Sequence, residues 1–247
     1  MSPITRTVLL VLAITVSPAA AAAQRPHATD AEIARAVGTR LAAHDITGVT
    51  IAVASGIVTL RGTVPTLWTK QRAIEQTMKV EDVISVVSDI TVPSDEDDAA
   101  IAQAIAHQLS RYVFFSIFDD ADVAVDEGVV TLTGRVTMPY KAEAFADLAA
   151  HVPGVQEVRN EVRTLPASLF DDQLRYAVAR RIYGDEMFAR YAIQANPPIH
   201  IIVERGAVTL TGVVGSDMER LVAETIARTT FSVMSVTNNL RVERSVN

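Results

Sequence analysis

The sequence predicts an α+β protein made of three tandem αββαβ units, each a small three-stranded mixed sheet with two helices on one face. Three observations carry that reading: a string that recurs three times, matched spacings after it, and helical periodicity before it. The string from Ser55 to Gly62 (SGIVTLRG) returns from Glu127 to Gly134 (EGVVTLTG) and from Arg205 to Gly212 (RGAVTLTG). Twenty-one residues after each final glycine stands a valine (Val83, Val155, Val233), and three further on stands another (Val86, Val158, Val236). Self-similarity at fixed spacing marks a repeated structural unit.

Each element follows from a local pattern. The opening helix of each unit shows apolar residues at helical spacing: Ile33, Val37 and Leu41; Ile101, Ile105 and Leu109; Leu174, Val178 and Ile182. Acidic residues at the three starts (Asp30, Asp97, Asp98, Asp171, Asp172) are placed to cap free amides and to favour the helix dipole. A strand with alternating apolar residues follows: Ile51 and Val53, Val123 and Val125, Ile201 and Val203. The Ser-Gly, Glu-Gly and Arg-Gly pairs predict tight hairpin turns, because glycine reaches positive φ without a Cβ clash. In the returning strand Val58 and Leu60 face inward, with Thr59, Arg61 and Thr63 outward. Val130 and Leu132, then Val208 and Leu210, repeat the inward pattern. Second helices are expected near 66–80, 138–151 and 216–229, and closing strands near 84–92, 155–164 and 233–243. A sheet apolar on one side and threonine-rich on the other needs its helices on the apolar side.

Residues 1–23 stand apart. One basic residue, Arg6, precedes the apolar run Val8–Val16, and small residues continue to Ala23. This is the layout of a secretory signal peptide, with cleavage expected after Ala23. The apolar run is too short for a bilayer core that needs about 20 residues. The remaining chain is expected in the bacterial envelope or outside the cell.

Composition excludes several functions. The absence of cysteine excludes disulfides, thiol catalysis and cysteine-ligated metals. The net charge of −7 argues against a nucleic-acid partner, which calls for a basic face. No nucleophile elbow, phosphate loop or dinucleotide glycine pattern is present, and the five histidines show no metal-ligand spacing. No cofactor, metal or catalytic residue is therefore expected, and the chain reads as a non-enzyme. His200, alternating with Ile199 and Ile201, is expected to face outward. The acidic runs Asp95–Asp98 and Asp119–Asp122 lack an EF-hand ligand loop and read as solvated linker and helix cap.

The pattern Gly-x-Val-Thr-Leu-x-Gly, followed by Gly-Val-x-x-Val-x-Asn (Gly154 to Asn160), resembles the BON domain of bacterial osmotically induced periplasmic and nodulation-related proteins. The resemblance covers three copies at 28–93, 96–166 and 168–244. The first departs from the pattern at Glu81-Asp82 and Ser88, and the third at Phe231-Ser232-Val233. These departures bear on loop geometry. The resemblance implies an αββαβ fold, residence in the periplasm or at the outer membrane, and a non-enzymatic binding role. Its implied partners are anionic phospholipid or envelope proteins, with peripheral membrane contact at most. Its implied alternative is an osmotic or envelope-stress chaperone-like holdase or interaction scaffold.

Charge distinguishes the copies. Residues 28–93 carry 6 basic and 7 acidic residues, residues 94–166 carry 5 and 13, and residues 167–247 carry 9 and 9. An anionic surface would repel the middle copy within a screening length of about 8–10 Å, so the third copy is the better candidate. There the long connection between first helix and first strand holds Tyr183, Phe188 and Tyr191 beside Arg190, close after Arg180 and Arg181. Aromatic rings flanked by guanidinium groups suit a lipid headgroup layer or a protein partner. The alternative is that these rings close the open end of a small core. The middle copy's cluster, Tyr112 to Phe118, occupies the matching connection.

Overall fold

A computed structural model describes residues 28–243; the signal segment at 1–23 lies outside the described residues. The first unit runs α1 (Asp30–Ala43), β1 (Val49–Ala54), β2 (Ile57–Thr63), α2 (Leu67–Met78) and β3 (Ser85–Thr91). The second runs α3 (Asp98–Ser110), β4 (Asp120–Asp126), β5 (Val129–Val136), α4 (Pro139–Ala150) and β6 (Glu157–Thr164). The third opens with α5 (Leu169–Tyr183), and its longer connection holds a 3-10 turn (Glu186–Phe188) and the short α6 (Ala189–Ala192). It continues with β7 (Ile199–Glu204), β8 (Ala207–Val214) and α7 (Asp217–Arg228), and closes on β9 (Ser235–Asn238) and β10 (Arg241–Val242).

In every unit the returning hairpin strand is central, antiparallel to the strand before it and parallel to the closing strand. A parallel neighbour needs a crossover, and the second helix supplies it. β9 and β10 pair with β8 in one continuous register, Leu210 opposite Asn238 and Val213 opposite Arg241. They are one edge strand interrupted at Asn239-Leu240.

The predicted inward pairs are the centre of three cores: Val58, Leu60, Val130, Leu132, Val208 and Leu210 are all buried. Val58 and Leu60 cluster with Ile33, Val37 and Leu41 of α1 and Ala73 of α2, so both helices cover one face of the sheet. The last glycine of each string has a steric reason. A Cβ on Gly62, Gly134 or Gly212 would sit 2.0, 2.1 or 1.9 Å from the carbonyl oxygen of Gly48, Asp120 or Pro198. No side chain fits there.

The hairpin turns are held by a device that the helix-capping expectation did not include. Ser55-Gly56, Glu127-Gly128 and Arg205-Gly206 all have positive φ at both positions, the geometry of a type I′ turn. Asp30 accepts from the N–H groups of Ser55 and Gly56 at 2.9 and 3.0 Å. Asp98 does so from Glu127 and Gly128, both at 2.9 Å. Asp171 does so from Arg205 and Gly206 at 2.9 and 2.8 Å. The helix N-caps proper are Thr29, Asp97 and Ser168. Of the acidic residues expected to cap, only Asp97 therefore occupies the N-cap position. Asp30, Asp98 and Asp171 instead tie helix to hairpin.

The asparagine of the motif has an equivalent task at the other end of the unit. Asn160 Nδ2 donates to Ala142 O of α4 at 2.8 Å while its Oδ1 accepts from Val162 N at 3.2 Å. Asn238 repeats this with Arg220 O of α7 and Leu240 N. Ser88, at the matching place in the first unit, is too short to span the gap, and its buried Oγ has no hydrogen-bond partner. The loop departures change nothing in the backbone: Asp82, Gly154 and Ser232 all adopt positive φ.

The units dock along the chain. Leu67 of the first unit belongs to the second unit's core, and Trp68 lies 4.4 Å from the His151 ring. Between second and third units the contact includes backbone pairing, described next.

Candidate functional site

The sequence-predicted residues of the third unit divide between core and surface. Phe188 and Tyr191 are core residues packed with Ile199, Ile201 and Val208, so the long connection folds back over its own unit. Tyr183 packs at the rim of the same core and donates to Ile199 O. Its burial pushes the phenol pKa up. Arg190 lies over the Tyr191 ring at 4.7 Å and donates to Tyr191 Oη and to the Glu219 carboxylate. Tyr191 Oη also donates to Glu219 at 2.8 Å and accepts from Gly215 N at 2.9 Å, which pins the connection to the start of α7. Arg181 donates to Ile226 O at 3.2 Å and to Thr230 Oγ1 at 2.9 Å, satisfying a free carbonyl at the end of α7. Arg180 is exposed. The rings thus close the core, and the surface share of the predicted set is Arg180, Arg181 and Arg190.

The aromatic cluster of the second unit is a joint. Tyr112 and Phe115 pack against their own core, with Phe145 at 6.0 and 5.7 Å. Ile117 and Phe118 pack against the core of the third unit instead, Phe118 meeting the Tyr176 ring at 4.8 Å. Ile201 N donates to Ile117 O at 2.7 Å, so this segment extends the third sheet at its β7 edge.

His200 corrects an expectation. It faces away from its own core, as alternation requires, yet the second unit covers it. Its Nδ1 lies 2.6 Å from Asp119 O and its ring lies 5.1 Å from Phe115. Burial lowers its pKa, outweighing the nearby Asp119 and Asp120. Asp119 is likewise no solvated linker residue. It is fully buried, paired with Lys141 at 2.7 Å, and it also accepts from the N–H and hydroxyl of Ser116 and of Thr137. Burial alone would raise this carboxyl's pKa. Lys141, Ser116 and Thr137 together outweigh that and hold it below the ordinary value. Among the described residues no group of three or more His, Asp or Glu side chains is placed to hold a metal ion. No helix among them is long and apolar enough to cross a membrane.

One end of the third unit gathers apolar side chains that the sequence reading did not single out. Asp171 binds the Arg205-Gly206 turn, and Met234 N donates to Gly206 O. The start of α5, the hairpin turn and the loop into β9 therefore meet at one end. There Leu169 is 82%, Phe231 93% and Met234 76% exposed, and Phe170 and Arg205 are exposed beside them. A copy-by-copy comparison contained the signal. Phe231 stands where the other units have Glu81 and Pro153, and Met234 stands where the second has Gln156.

Solved structures similar to the chain include the C-terminal domain of CdsD, a structural protein of the type III secretion system of Chlamydia trachomatis. That domain is 18% identical, with 85% of this chain and 96% of that chain covered and a TM-score of 0.25. The PrgH periplasmic domain is 15% identical, with 83% and 100% covered and a TM-score of 0.24. No curated protein matches the chain. The BON domain matches at residues 29–94, 97–166 and 186–244, the third match beginning in the connection after α5. With most of its length matched in three tandem copies, the chain belongs to the BON domain family, which is envelope-associated and generally non-catalytic.

Proposed function

We propose that this is a periplasmic envelope-maintenance protein without catalytic activity, which associates with phospholipid through the hairpin end of its third unit. The observation that carries the reading is that Leu169, Phe170, Phe231 and Met234, all exposed, lie in segments tied to the same end of the third unit as the exposed Arg205. Isolated apolar residues on a surface are ordinary, whereas a contiguous exposed group marks a contact site. Each such side chain gains about 1.5–3 kcal/mol on full burial, so partial insertion of four supports reversible binding. The third unit also has no net charge, where the middle unit carries 13 acidic against 5 basic residues. Arg180 and Arg181 lie near the far end of α5, roughly 15 Å away at 1.5 Å per residue. In this reading they and Arg190 contribute long-range attraction that salt weakens.

The test is flotation of the chain with phosphatidylglycerol-containing and pure phosphatidylcholine vesicles at low and physiological salt. Changing Leu169, Phe170, Phe231 and Met234 together to Ser is expected to abolish flotation. Changing Arg180, Arg181 and Arg190 together to Ala is expected to weaken it chiefly at low salt. Unchanged flotation of the four-Ser variant would overturn the site. No flotation of the unaltered chain at low salt would overturn the lipid reading in favour of a holdase or scaffold.

A further inference from the structure

A cleft of about 670 Å³ lies between the second and third units. One wall is the groove between α3 and β4, lined by Ala102, Ala106, Leu109 and Val123. The matching groove of the third unit, between α5 and β7, is the one that Ile117 and Phe118 fill. Matched position by position, Val123 corresponds to Ile201, and Ala102 to the larger Arg175. Filled, this groove leaves Ile201 fully buried; open, it leaves Val123 half-buried. β4 is an edge strand. Ile201 N, on the corresponding edge, donates outward to Ile117 O, so the shared hairpin register aims Val123 N into the cleft.

We propose that this cleft is a receptor groove for an extended peptide segment of another protein, laid along the β4 edge as Ile117–Asp119 is laid along β7. Main-chain pairing to an exposed edge gives such binding its affinity, and side-chain pockets give its specificity. The small side chains of Ala102 and Ala106 leave space for an aliphatic–aromatic pair like the Ile-Phe pair that the chain uses internally. Charge selects what flanks it. Asp122 occupies the position of His200 and is exposed, with no ion pair drawn to it among the described residues. Where His200 receives a backbone carbonyl from its occupant, Asp122 accepts an N–H or an ammonium group. The occupant therefore carries a Lys or Arg next to its apolar pair. This inference is independent of the lipid reading, since it uses a different unit and a different surface.

The test uses the full chain and a fluorescently labelled peptide Phe-Ser-Ile-Phe-Lys, followed by polarisation. Saturable binding is expected, weakened at least about tenfold when Ala106→Trp fills the groove. Backbone N-methylation of the peptide at alternate residues is expected to abolish binding while leaving the protein unaltered. A Glu-ended peptide should bind more weakly than the Lys-ended one, and Asp122→Asn should remove that difference. Ala106 and Asp122 are both exposed, so neither change disturbs the core. Absence of saturable binding would overturn the proposal. So would binding indifferent to A106W or to N-methylation, or occupation of the cleft by laurate and not by the peptide.

Discussion

The three aspartates that hold the hairpin turns form a mutation series within one chain. Asp30, Asp98 and Asp171 each accept two backbone N–H groups at 2.8–3.0 Å, but their surroundings differ. Asp30 is exposed, Asp98 half-buried and Asp171 buried. A hydrogen bond to a charged group contributes about 1.5–3 kcal/mol, and a buried donor left unpaired costs more than one that water can reach. Asp171→Ala is therefore expected to destabilise the third hairpin by about 3 kcal/mol or more, through two lost bonds at a buried site. That corresponds to roughly 100-fold faster exchange of the Arg205 and Gly206 amides, at about 1.4 kcal/mol per factor of ten. Asp98→Ala should have an intermediate effect on Glu127 and Gly128, and Asp30→Ala the smallest on Ser55 and Gly56, where water replaces the carboxylate. Asn at 171 keeps one oxygen acceptor and should lose less than Ala. Amide exchange by NMR resolves the three turns in one experiment. Equal effects at the three sites, or a larger effect at Asp30 than at Asp171, would refute the argument from burial.

Other expectations follow from single contacts. Gly212→Ala places a Cβ 1.9 Å from Pro198 O, so β7 and β8 must separate; a cost above about 2 kcal/mol in chemical denaturation is expected, and a neutral result would contradict the close approach. Ser88→Asn should supply the strand-to-helix bridge that the other two units have, raising the first unit's stability by about 1 kcal/mol, visible as a higher denaturant midpoint. His200 has a lowered pKa because it is buried, so it stabilises the docked state fully above the unfolded value of about 6.5. That contribution is lost as pH falls from there through the lower folded value. A denaturant midpoint that drops between pH 7.5 and 5 should therefore fall less in His200→Gln, and an equal fall would remove His200 from the explanation.

How much of this was legible in the sequence depended on whether the cause was local. Val58, Leu60 and their counterparts could be placed inside because strand alternation and the repeated string agree, and the second helices fell within two residues of their expected bounds. The aspartate–turn contacts could not be seen. Asp30 and Ser55 are 25 residues apart, and the partner is a backbone N–H common to every residue. Phe188 and Tyr191 beside arginines fitted both a surface and a core, and only the path of the long connection decides between them. His200 alternated outward correctly, but strand periodicity carries no information about a neighbouring unit. The acidic run at Asp119 looked solvated because its partner, Lys141, is 22 residues away on α4. The exposed end of the third unit was missed because its residues lie in turns and at a helix start, where no periodicity operates. Leu169, Phe170 and Phe231 emerge only as departures from the other two copies, and Met234 as a departure from the second alone, since the first has the exposed Ile84 there.

The central claim is that the hairpin end of the third unit enters the lipid interface, and a single fluorophore there tests it most directly. The chain has one tryptophan, Trp68, packed between the first two units. Phe231→Trp in a Trp68→Phe background therefore gives a probe whose emission reports that end alone. On phosphatidylglycerol-containing vesicles the account predicts a blue shift and quenching by lipids brominated near the headgroup. Emission unchanged on vesicles to which the chain demonstrably binds would contradict it.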